Sequence, residues 1–147
     1  MSLLATLTED MKAAMKARES ERLSVIRGLI ADIKRIELDT KSTLDEAGEL
    51  DFLTKQAKRR RESIEAFAEA RPELAEKERA ELAVIETYLP KQLTPEEALE
   101  VLRPLVERLG VTTKKEVGKV MGPAMAELKG RFPGKDVKAL VESLLEG

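Results

Sequence analysis

Residues 88–97, Tyr88-Leu89-Pro90-Lys91-Gln92-Leu93-Thr94-Pro95-Glu96-Glu97, divide this chain into two helical parts. Pro90 has no N–H with which to continue a helix and disfavours helical backbone at Leu89, so the helix before it must end. Thr94-Pro95-Glu96-Glu97 then starts another, with threonine as N-cap, proline at the first helical position and Glu97 placed to close a capping box. The boundary separates residues 1–90 from residues 91–147.

Upstream of it, Leu23, Ile26, Leu29, Ile30, Ile33 and Ile36 keep the i, i+3, i+4, i+7 spacing of a buried helix face, which predicts one long helix from Glu19 to Asp39. A shorter helix over Leu3–Ala17 is expected before it, with Met11, Ala14 and Met15 on its inner side. Asp39–Asp45 reads as a connector, and Thr43 with Glu46 as a capping box for a third helix running to Ala70. Pro72 suits the first position of a fourth, which carries Leu74, Leu82, Ile85 and Leu89.

Downstream, the helix after Thr94 is predicted to bury Leu99, Leu102, Val106 and Leu109, to kink at Pro104 and to stop at Gly110. Thr113 and Glu116 are expected to cap a helix whose inner face holds Val117, Val120, Met121, Met125 and Leu128. Gly130, Pro133 and Gly134 mark a loop, and Val137, Leu140, Val141, Leu144 and Leu145 a closing helix. The fold class is all-α: an N-terminal bundle of about four helices and a smaller C-terminal three-helix unit.

Composition narrows the chemistry. The 147 residues hold neither cysteine nor histidine. That removes the thiolate nucleophile, the zinc ribbon, the commonest general base and every Ser-His or Cys-His relay. Ser24 and Ser63 lie in helical sequence without a Ser-x-x-Lys partner, and the carboxylates show no signature spacing. No catalytic residue, metal site or cofactor is expected. The opening residues lack a basic n-region, so they do not read as a signal peptide, and no run approaches the roughly 20 apolar residues of a membrane span. A cytoplasmic protein without a membrane partner is expected.

Charge supplies the positive indication. The whole chain is at −2, yet between Thr113 and Lys138 seven basic residues stand against three acidic ones. Lys115, Gly118, Lys119, Gly122, Ala126 and Lys129 share one helical face opposite Val117, Val120, Met121 and Leu128. Glycine within a helix costs about 1 kcal/mol against alanine, so Gly118 and Gly122 call for a close approach, by another helix or by a ligand backbone. Lysines beside small residues suit a sugar-phosphate chain. The loop Lys129–Lys135 leads into a helix start that favours an anion, although it lacks P-loop spacing. Phe132 within it is read as a core plug in preference to a base-stacking residue. Lys58-Arg59-Arg60-Arg61 points around most of a helix, so it is read as a solvated face paired with Glu62 and Glu65.

Tyr88-Leu89-Pro90-Lys91-Gln92-Leu93, Gly118-Lys119-Val120-Met121-Gly122 and Lys129-Gly130-Arg131, together with Asp10–Lys16 and Arg22–Arg27, resemble the YqeY-like family over the full length. Residues 91–147 are similar to the tail domain of the B subunit of the tRNA-dependent amidotransferase that converts Glu-tRNA(Gln) or Asp-tRNA(Asn) to the amide. Pro123 and Phe132-Pro133 depart from the family pattern. The resemblance implies an accessory protein that grips tRNA through Lys115, Gly118, Lys119, Gly122, Lys129, Arg131, Lys135 and Lys138, near an aminoacylation or amidation complex. It also implies two alternatives: a helical adaptor working by protein contacts alone, and a glutamine-dependent carbon–nitrogen ligase by association with the larger enzyme.

Overall fold

The computed structural model describes every residue from Met1 to Gly147. Its regular structure is helical: α1 (Leu3–Ala17), α2 (Ser20–Thr40), α3 (Glu46–Phe67), α4 (Pro72–Glu86), α5 (Pro95–Leu109), α6 (Val117–Leu128) and α7 (Val137–Ser143). Short 3₁₀ turns at Lys114–Glu116 and Gly134–Asp136 lead into α6 and α7. The chain divides into two compact units, Met1–Leu89 and Pro90–Gly147, each with its own core.

In the first unit α1 packs on α2, α3 on α4, and α2 on α4. Leu7, Ala14, Ile26, Leu29, Ile33, Phe52, Leu53, Ala57 and Ile85 form the centre of its core. Met15, expected inside, is 50% exposed. The inner row of α1 runs Leu7, Met11, Ala14 at i, i+4, i+7, and the next residue turns a further 100° away. α1 ends at Arg18, whose left-handed backbone (φ 57°) breaks the helix before α2 begins. The cap of α3 also differs from the Thr43–Glu46 expectation: Asp45 is the N-cap, and its carboxylate accepts from the Gly48 N–H at 2.7 Å. A charged acceptor is the stronger cap at a helix N-terminus. α3 stops at Phe67 and α4 at Glu86, a turn short of the expected ends.

The basic run of α3 is paired, partly as expected and partly across to α4. Lys58 lies 4.0 Å from Glu62, one turn on. Arg60 Nε sits 2.9 Å from Glu81 and 3.6 Å from Glu78 without hydrogen-bond geometry to either, and Arg61 lies 3.6 Å from Glu86. These arginines therefore join two helices. At the end of the unit the Tyr88 hydroxyl donates to Asp10 at 2.6 Å. Burial, and then the Asp10 carboxylate, push its ionisation up to about 12.

The second unit begins with the capping box. Thr94 Oγ1 accepts from the Glu97 N–H at 3.2 Å, and Glu97 Oε1 accepts from the Thr94 N–H at 3.0 Å, with Pro95 at the first helical position. The Thr94 N–H, and then Lys91, hold the Glu97 carboxyl below its ordinary range. Ala98, Leu102, Leu105 and Val106 bury the inner face of α5, whereas Leu109 is 40% exposed and Leu99 only half-buried. α5 runs through Pro104 as one continuous helix. Pro104 and Arg103 are exposed, so water can replace the bond that proline removes. Gly110 ends the helix in left-handed conformation (φ 68°), donating to Glu107 at 3.1 Å.

Thr113 makes no side-chain cap for α6. Its stretch of main chain is engaged with the end of the molecule instead: Glu146 N–H donates to the Thr112 carbonyl at 2.9 Å and Lys114 N–H to the Glu146 carbonyl at 3.0 Å. Val120, Ala124 and Leu128 are the buried residues of α6, and Met125, expected inside, is 42% exposed. Ala124 takes the inward position because it falls at i+4 from Val120 and i−4 from Leu128. Val137, Val141 and Leu145 close the core from the last helix, and Phe132 packs against it as a plug.

Candidate nucleic-acid interface

α6 carries two sides of opposite character. Val117, Val120, Met121, Ala124 and Leu128 face the core, while Gly118, Lys119, Gly122, Pro123, Met125 and Ala126 are exposed. A Cβ built on Gly118 or on Gly122 meets nothing within 4 Å. Neither glycine is therefore explained by a second helix of this chain resting on it. Gly122 has a local reason as well: a side chain immediately before Pro123 would crowd the proline ring in helical backbone. Gly118 has none. The exposed side of α6 carries small residues at Gly118, Gly122 and Ala126 with Lys119 among them, together with Pro123, Met125 and the acidic Glu127.

The cations distribute around that surface as follows. Lys114 and Lys115 project from the 3₁₀ turn at the head of α6 and are exposed. Lys119 lies on the helix and pairs with Glu116 at 2.8 Å. That carboxylate, by hydrogen bond and then by charge, holds the Lys119 ammonium above its usual range, so Lys119 is cationic with a counter-charge beside it. Lys129 is exposed at the C-cap of α6, and Arg131, two residues on, is half-buried. Lys135 is exposed in the 3₁₀ turn before α7. Lys138 is exposed on α7 itself.

The loop after α6 is closely held. Arg131 N–H and Phe132 N–H both donate to the Leu128 carbonyl, at 2.9 and 3.1 Å. Gly130 takes a positive φ of 75°. Its carbonyl accepts from Gln92 Nε2 at 2.6 Å, and the Arg131 carbonyl accepts from Leu93 N–H at 2.8 Å. Further along, the loop returns to α6: a Cβ on Gly134 would come 2.9 Å from Met125 Cε, the mobile end of that side chain, so a larger residue there would push the methyl group aside. The start of α7, expected from the sequence to favour an anion, is short and carries an acidic residue: the helix has seven residues, and Asp136 brings a negative charge to its cap position.

Two features escaped the sequence reading. Gln92 was visible within a motif, but its partner lies 38 residues away. Met125 was assigned to the core by its apolar character, although its seat on Gly134 is at the surface. A groove of about 700 Å³ lies elsewhere, between the start of α2 and α4, floored by Val25, Ala80 and Val84. Glu21, Glu73, Glu76 and Glu81 outnumber Arg22 and Lys77 on its rim, so it does not suit a polyanion. No group of three or more acidic side chains is placed to hold a metal ion, and no helix is long and apolar enough to cross a membrane.

A family model described as Yqey-like protein matches residues 4–145. The chain belongs to the YqeY-like family. Among curated relatives, the "altered inheritance of mitochondria protein 41, mitochondrial" of Candida glabrata is 37% identical over 91 residues, covering 60% of this chain and 50% of that protein. Its counterpart in Lachancea thermotolerans is 39% identical over 88 residues, 58% of this chain and 47% of the relative. The protein of the same name from Pyrenophora tritici-repentis is 33% identical over 132 residues, 88% of this chain and 72% of the relative. This YqeY-like chain thus spans about half the length of the first two relatives and most of the third.

Proposed function

We propose that this YqeY-like protein is a tRNA-binding accessory protein, associated with tRNA-dependent amidation or aminoacylation and with no catalytic site of its own. In this reading Met1–Leu89 is a four-helix bundle, and Pro90–Gly147 is a three-helix module equivalent to the amidotransferase tail. The observation that carries it is the open side of α6: two glycines with nothing over them, beside Lys115, Lys119 and Lys129. A sugar-phosphate backbone can approach such a surface closely, with lysines as point-charge contacts. Arg131, Lys135 and Lys138 extend the positive field. Recognition is chiefly of shape, since an A-form helix offers few readable base edges. The compartment is one that contains tRNA, which accords both with the cytoplasmic expectation and with relatives named as mitochondrial.

The exposed Met125 and Ala126 favour a second reading, a helical adaptor docking on such a complex through protein contacts. Salt separates the two. Anisotropy of fluorescent total tRNA, titrated at two salt concentrations, is expected to show saturable binding that weakens steeply with salt. The double replacement Lys119→Glu and Lys129→Glu is expected to abolish binding and leave helicity intact. Unchanged tRNA affinity in that variant overturns the assignment, and partner capture that survives high salt selects the adaptor. An amidation assay on charged tRNA, with and without partner subunits, tests the remaining ligase alternative.

A further inference from the structure

We propose that Gln92 is the positioning residue of the basic loop: it sets where Lys129 and Arg131 stand, and so governs tRNA affinity without touching tRNA. The inference rests on the tRNA-binding reading for its functional half. Its structural half stands alone.

The Gln92 amide nitrogen reaches two carbonyl oxygens, Pro90 at 3.0 Å and Gly130 at 2.6 Å. Both partners only accept, so the group between them must be the NH₂, and its two hydrogens match two acceptors. Leu93 N–H takes the next carbonyl along, that of Arg131, at 2.8 Å. Two successive residues of the entry segment thereby hold two successive carbonyls of the loop. Gly130 between Lys129 and Arg131 has no side chain and a positive φ, the least restricted backbone a chain can offer. Such a residue does not fix its neighbours by its own preference. Gly130 is buried, so its carbonyl without a donor would lose its partner where water does not readily replace it. The Arg131 and Phe132 N–H bonds to the Leu128 carbonyl shape the turn locally, while Gln92 and Leu93 tie it to the entry segment, and of these bonds only the one from Gln92 comes from a side chain that substitution can remove.

The test uses the full chain. In Gln92→Ala, amide exchange at Arg131 and Phe132 is expected to quicken about tenfold, while amides in the middle of α5 and α6 keep their protection. The slope of log affinity against log salt is expected to shrink by about two contacts. Introduced into Lys129→Gln/Arg131→Gln, which removes the two charges and leaves weaker but measurable binding, the same replacement is expected to weaken tRNA binding no further, because it acts through those two cations. Gln92→Glu adds a pH signature: its carboxylate repels the Gly130 carbonyl at neutral pH and donates to it once protonated below about pH 4.3. Loop protection should therefore recover on acidification. Loss of protection throughout the unit, an equal loss of affinity on both backgrounds, or undiminished tRNA binding by Gln92→Ala overturns the proposal. If the unsubstituted protein binds no tRNA at low salt, the tRNA reading fails separately. The exchange and pH measurements then decide the clamp: an effect confined to the loop upholds it, and unchanged loop protection overturns it.

Discussion

Tyr88 is the only tyrosine of the chain, so its ionisation can be followed by absorbance without ambiguity. Its hydroxyl is half-buried and donates to Asp10, and both effects favour the neutral form. The folded value is raised above 10.0, so the contribution to stability is complete below about pH 10 and is lost as pH rises towards 12. Tyrosinate absorbance is expected to appear near pH 12 in the native protein and near 10 in urea, and Asp10→Asn should move the native midpoint downward. Coincident midpoints for native and unfolded protein would refute the contact. Residue-scale reading of the sequence succeeded where a residue talks to near neighbours, as in the reciprocal Thr94–Glu97 cap. It missed Asp10–Tyr88 and Gln92–Gly130, because each joins residues far apart in the chain.

At the scale of elements, α6 presents a conflict between stability and the proposed use. Gly118→Ala meets open space, so alanine should stabilise the helix, by about 0.5 to 1 kcal/mol at most given its position in the first turn. The same methyl stands where a phosphodiester backbone is proposed to lie. The expected outcome is a higher urea midpoint together with weaker tRNA binding. Equal or tighter binding would remove the close-approach role of this glycine. Helix spans were largely legible because the 3.6-residue apolar period is strong in α2 and α5, and because Pro72, Pro95 and Gly110 punctuate clearly. Caps were less so. Thr43 and Thr113 carry the right side chain, yet Asp45 starts α3, and the chain end holds the main chain around Thr113.

For the whole molecule, two separate cores predict two separable folding units. Leu7, Ile26, Ile33 and Ile85 belong to one, and Leu102, Val120, Leu128 and Val141 to the other. Domains of about 60 residues are marginal but often fold alone. Residues 90–147 expressed alone should be helical, unfold cooperatively in urea and retain the salt-dependent tRNA binding, whereas residues 1–89 should fold without it. A disordered C-terminal fragment would mean that the unit requires the rest of the chain. The sequence by itself determined the helical class, the break at Pro90 and the concentration of positive charge after Thr113, since periodicity, proline chemistry and composition are local properties. Tertiary structure decided that Arg60 and Arg61 tie α3 to α4, that Met125 lies at the surface over Gly134, and that the loop after α6 is held by Gln92. These depend on which distant segments meet, and that is set by the packing of whole helix faces.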